Sequence, residues 1–283
     1  MKARDIEAVV SGILRPEFGI PSETDNGIVL GDARRNVSRL AVCWSPTAAV
    51  LEEAVRLGAG AVLSHEVPFI PVPEAASELW PVPHADRLPA NRRRRRLCAD
   101  SGLVLLKYHY PLDGWPVWGT PRALASALGF DPGRAEWINR FVPAFPCGGR
   151  PLAAVAEQVR HGLDLDAVSV TGPLDRPVHK LALAVGGFAT RFWISEMARQ
   201  AGCEALVVGD VLDYTARTAV EAGVALIRAG HYATENPAVI RLADQLQRAF
   251  GPNLPVTVLD SGHPWRVIGA EPRREAEASG REP

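Results

Sequence analysis

Three short stretches of this chain pair imidazoles with carboxylates: Ser64-His65-Glu66, His109-Tyr110-Pro111-Leu112-Asp113 and Gly230-His231-Tyr232-Ala233-Thr234-Glu235. In the second and third, histidine and carboxylate stand four residues apart. Neutral imidazole nitrogen and carboxylate oxygen together suit zinc, manganese, iron or nickel better than calcium or magnesium. A carboxylate has two oxygens and can bridge two ions, and Asp113 and Glu235 are the candidate bridges. Ions bridged at ~3.5–4 Å activate water and clamp a transferring group. The expected centre therefore holds two divalent ions among His65, Glu66, His109, Asp113, His231 and Glu235.

Such groups need a scaffold that brings distant turns together. Leu40 to Trp44 reads as a buried strand, and Ser45-Pro46 as the cap and first position of a helix that runs to Gly58. Ala61 to Leu63 is the next strand, leading directly into Ser64-His65-Glu66; strand, helix, strand is a parallel α/β unit. The pattern recurs. Leu88 to Ser101 reads as a helix and Leu103 to Lys107 as a strand ending at His109. Pro121 to Leu128 and Leu152 to His161 read as helices, Ala167 to Val170 and Leu181 to Val185 as strands. Then come helix Trp193 to Ala201, strand Ala205 to Val208, helix Tyr214 to Ala222 and strand Ala225 to Arg228, which delivers Gly230-His231. Asn236-Pro237 is expected to open a final helix through Phe250, which makes the His231 pair a loop feature. Residues 1 to 15 form an amphipathic helix, Asp25-Asn26-Gly27 a turn, residues 131 to 150 a Pro- and Gly-rich connection, and Pro255 to Leu259 a last strand. In open α/β sheets ligands gather at the carboxyl ends of strands, where all three motifs fall.

The expected fold is α/β: two α/β halves with mixed or parallel sheets around a shared metal-containing cleft. The first half is residues 1–130, with 225–262 completing the site; the second is 151–224. Residues 263–283 form a tail, polar and expected to be disordered from Arg273.

A net charge of -1 on 283 residues gives no global electrostatic case for nucleic acid or an anionic membrane. No apolar run reaches the ~20 residues of a spanning helix, and the first residues lack a signal peptide's apolar core, so the expectation is a cytoplasmic protein. Cys43, Cys98, Cys147 and Cys203 are far apart and read as buried thiols. His84, His161, His179 and His263 read as surface or structural residues, with His179 in a connection. Asp210 ends a strand on the same side as the motifs and is either a supporting group or a cap. Arg92 to Arg96 read as a solvated helix face, with a nucleic-acid contact as the alternative. Gly186-Gly187 reads as a tight turn.

At these residues the chain resembles the family of GTP cyclohydrolase I type 2 homologues, also called Nif-three-like dinuclear-metal proteins. The resemblance runs over roughly residues 5 to 260. It rests on Asp25-Asn26-Gly27 with Leu30-Gly31-Asp32, Val62 to Glu66, His109 to Asp113 with Leu124 to Gly129, Gly186-Gly187, Val208-Gly209-Asp210, and above all Ala229 to Glu235. It implies metal ligation by His65, Asp113, His231 and Glu235, with Asp113 and Glu235 between two ions and His109 as a conditional ligand or a nearby proton carrier. It further implies a hexameric ring with the sites facing an inner cavity. The family's usual motif has two adjacent histidines; here the second is Glu66, which adds negative charge.

The leading expectation is a metal-dependent hydrolase, cyclohydrolase- or phosphodiesterase-like, acting on a small molecule. The rival readings are a non-catalytic metal-binding or scaffold ring, and a ring that binds nucleic acid through Arg92 to Arg96.

Overall fold

The computed structural model describes residues 1–15, 26–70 and 85–268. Asp25, His84 and the tail from Arg273 lie outside them. The described chain builds two sheets. The first has five strands in the order β1-β4-β3-β2-β11: β1 Gly27–Leu30, β2 Leu40–Cys43, β3 Ala61–Ser64, β4 Val104–Lys107 and β11 Val256–Leu259. Only the β1–β4 pair is antiparallel. The second has six strands in the order β5-β6-β8-β9-β10-β7: β5 Glu136–Asn139, β6 Val142–Pro151, β7 Ser169–Val170, β8 Pro177–Ala184, β9 Ala205–Val208 and β10 Ala225–Arg228. Here β8, β9 and β10 are parallel and the outer pairs antiparallel.

The inner strands are built on apolar runs because helices cover both faces. In the first sheet Leu40, Val42, Leu63, Val104 and Leu106 meet α1 (Ala3–Ile13) and the long helix His231–Phe250. The alternate residues Ala41, Cys43, Val62 and Leu105 meet α2 (Ala48–Arg56) and Cys98 of α3 (Pro89–Ser101). In the second sheet Leu181, Leu183, Val207 and Ile227 pack under α5 (Thr120–Ala127) and α6 (Leu152–Gly162), after the single-turn α4 (Tyr110–Asp113). Its other face meets α7 (Ile194–Gln200) and α8 (Asp213–Glu221). The mixed α/β expectation holds, and so does that of four buried free thiols.

Several local expectations fail for physical reasons. The α2 cap is Thr47, whose hydroxyl accepts from the Val50 N–H, not Ser45; Ser45 is engaged instead with Ser261. Residues 131–150 are no mere connection, since they hold β5 and most of β6. Pro146 is tolerated where β6 is bulged between Pro146 and Arg150. His179 lies on β8, with its ring against Glu204. The last helix, α9, begins at His231 and carries Pro237 inside it, giving up one backbone hydrogen bond instead of starting there. Among the described residues no helix is long and apolar enough to cross a membrane.

Candidate metal centre

The carboxyl ends of both sets of parallel strands converge. β3 delivers His65 and Glu66, β4 delivers His109 and Asp113, and β10 delivers His231, with Glu235 one turn further along α9. Because α9 already includes His231, that pair shares one helical face, as i, i+4 spacing requires.

The six side chains form one cluster. Glu235 Oε2 lies 3.2 Å from His65 Nε2 and 3.2 Å from His231 Nε2. Asp113 turns one oxygen to His65 Nε2 at 3.7 Å and the other to His109 Nδ1 at 3.9 Å. Glu66 Oε1 stands 3.4 Å from His231 Nε2 and 3.7 Å from His109 Nε2. Two groups bring one ligand atom per residue within 4.8 Å of one another: His65, His109 and Asp113, and His65, Glu66 and Glu235. His65 belongs to both, and its ring stacks on His109 at 4.7 Å.

His65 is 2% exposed, yet its Nε2 makes no hydrogen bond. The carboxylate oxygens are close to it but off the direction in which a ring N–H would donate. A buried polar atom without a partner is costly, and a cation coordinated along that lone pair removes the cost. The electrostatics agree. Burial alone would lower the His65 pKa, but Asp113 and Glu235 outweigh it and hold it at about 9. Burial likewise opposes protonation of His231, and Glu235, Glu66 and Asp210 lift it to about 11. Burial acts to raise Glu235, but the two histidines bring it well below the carboxylate range. Asp113 is raised, by burial first. The cluster thus gathers negative charge that protons balance, and divalent ions can take the place of those protons.

Supporting contacts fix the cluster. Trp44 Nε1 donates to Glu235 Oε2 at 2.8 Å, and the Thr120 hydroxyl donates to Asp113 Oδ1 at 2.8 Å. Asp210 Oδ2 lies 2.7 Å from His231 Nδ1 and leaves Nε2 to face the cluster. Thr234 Oγ1 accepts from the Gly186 N–H. Gly186, at φ +57°, passes so near that a Cβ would stand 1.8 Å from Glu235 Oε1. Trp44 and Thr120 escape the sequence reading because a tryptophan ending LAVCW looks like core and a threonine opening a helix looks like a cap. Asp210 is legible from its strand end.

The Glu66 segment is held from α3. Arg94 Nη1 donates to the Pro68 carbonyl at 2.7 Å, and the Arg95 guanidinium lies over the Phe69 ring at 4.1 Å. The buried Asn91 amide binds both backbone groups of Ile70 and the Ala85 carbonyl. Part of the arginine run is therefore structural, not a free basic face.

The family profile Duf34/NIF3 (NGG1p interacting factor 3) matches residues 1–264. The chain belongs to the DUF34/NIF3 family. It is 30% identical over 229 residues to a GTP cyclohydrolase 1 type 2 homolog of Pseudomonas aeruginosa, covering 80% of this chain and 84% of that one. To the homolog of Escherichia coli (strain K12) it is 28% identical over 268 residues, covering 93% and 100%. The solved structure of protein ybgI, described as of unknown function, superposes with a TM-score of 0.74 at 25% identity over 94% of this chain and 100% of that one. The family and the ligand-type cluster thus coincide in one chain.

Proposed function

We propose that this member of the family is a divalent-metal-dependent hydrolase with a dinuclear centre. His65, Asp113, His231 and Glu235 would hold the ions, with Asp113 and Glu235 between the two positions and Glu66 as a further ligand. The observation that carries the reading is the single Glu235 oxygen equidistant from two imidazole nitrogens, one of them buried and outside hydrogen-bond geometry. When bound, the ions supply Lewis acidity and a lowered pKa for water at neutral pH. The protein's own part is positional. Asp113, anchored by Thr120, and Glu235, anchored by Trp44, set the spacing. His109 is a quarter exposed, faces the cavity beside the cluster and has Glu66 Oε1 3.7 Å from its Nε2. It is placed to take a proton from the attacking water and return it to the leaving group.

The test is elemental analysis of the purified protein with ions counted per chain, together with turnover of GTP and of a phosphodiester. Two ions per chain, and turnover lost in Asp113→Ala, is the expected result. A fully loaded protein inert toward both substrates would sink the hydrolase reading. One ion per chain, restored to two by Glu66→His, would show that Glu66 does not complete the second position.

A further inference from the structure

Beside the cluster lies a cavity of about 320 Å³. One wall is the centre itself: Glu66, His109, Asp113, His231 and Glu235. Tyr110, Phe141, Phe188 and Arg191 also line it. Phe188 packs on Phe141 with ring centroids 6.1 Å apart and on Trp193 at 6.0 Å, so its ring is braced in place.

Arg191 differs from its neighbours. Arg160, Arg199 and Arg217 each pair with a carboxylate three or four residues away on their own helix. The Arg191 guanidinium makes no hydrogen bond, ion pair or ring contact with the described residues. An unpaired guanidinium on the wall of a cavity is matched to a carboxylate or phosphate, which it can bind through two parallel N–H bonds.

We infer that this cavity is a subsite for an anion carried on a planar ring, specifically an aryl or heteroaryl phosphate. Arg191 takes the phosphate together with the centre, and Tyr110, Phe141 and Phe188 take the ring. The inference rests on the metal-centre reading above. Two divalent ions balance the charge of Glu66, Asp113, Glu235 and the adjoining Asp210, and Arg191 supplies the positive excess, so the loaded cavity favours an anion. The volume is at the small end of ligand sites, which run from about 300 to 1,000 Å³. It suits one ring and one anionic group rather than an extended chain.

The test is calorimetric titration of the manganese-loaded full chain with phenylphosphonate and with methylphosphonate, metal content being measured on the same samples. Phenylphosphonate is expected to bind about fivefold or more tighter, the ring contact supplying the difference. Arg191→Ala is expected to weaken both by about tenfold, while Arg199→Ala leaves both unchanged. Phe188→Ala is expected to abolish the preference for phenyl while sparing methylphosphonate. A protein that holds manganese but binds the two phosphonates alike, binds neither, or is indifferent to Arg191→Ala overturns the inference and leaves the centre standing. A protein that retains none of manganese, zinc, iron and nickel overturns the centre, and the inference with it.

Discussion

Gly186 and Glu235 are in contact across the two sheets: a Cβ on Gly186 would lie 1.8 Å from Glu235 Oε1 and 2.8 Å from its Cδ. The glycine follows β8 and the glutamate sits one turn into α9. The position also has φ +57°, where a side chain is strained. Gly186→Ala must therefore push the carboxylate away from His65 and His231. The expected outcome is metal affinity reduced at least tenfold, measured by competition with a chelator. An alanine variant with unchanged metal affinity would show that Glu235 is not a ligand.

Trp44→Phe removes the donor to Glu235 Oε2 but keeps a ring against His231 and Tyr232. Partners of metal ligands typically matter by 10–100-fold in metal affinity. A weakening in that range, with the melting temperature of the metal-free protein little changed, is expected. Thr120→Val should act in the same direction through Asp113.

The metal-free protein should lose stability as pH rises. His65 and His231 have folded-state pKa values raised to about 9 and about 11, from ordinary values near 6.5. The folded state therefore binds protons more tightly than the unfolded chain does. The stabilisation is complete below pH ~6.5 and is lost as pH climbs through the folded values. Thermal melts of chelator-treated protein should fall between about pH 7 and 9.5. Metal-loaded protein, in which ions replace those protons, should not follow that slope. A stripped protein whose melting temperature rises over this range would contradict the described charge pattern.

Asn91→Ala should destabilise the fold by about 2 kcal/mol, because one buried amide satisfies backbone groups of both Ile70 and Ala85. Denaturant unfolding measures this. Arg94→Ala removes only the bond to the Pro68 carbonyl and should cost less, while loosening the segment that follows Glu66. A loss for Arg94→Ala equal to that for Asn91→Ala would show that the arginine, not the amide, is the main anchor.

Much of this is legible in the sequence, for a reason tied to particular residues. Strands such as Ala61–Ser64 and Ala205–Val208 are apolar on both faces, so their ends, and the polar residues just beyond, stand out. His65, His109 and His231 were legible that way. The start of α9 was not, because Pro237 favours a first turn and the helix tolerates it further in. β5 and β6 were hidden by prolines and glycines that a bulged strand accepts. Trp44 and Gly186 act through contacts with residues far along the chain, which local pattern does not encode.

α9 has one further consequence. It leaves β10 of the second sheet, yet its body packs on the first, and the chain then adds β11 to that sheet's edge. His231 and Glu235 occupy the end of this helix that follows β10. Any rocking of one sheet against the other would be levered directly onto those two side chains. The same helix that builds the centre thereby ties its geometry to the aperture of the cavity beside it.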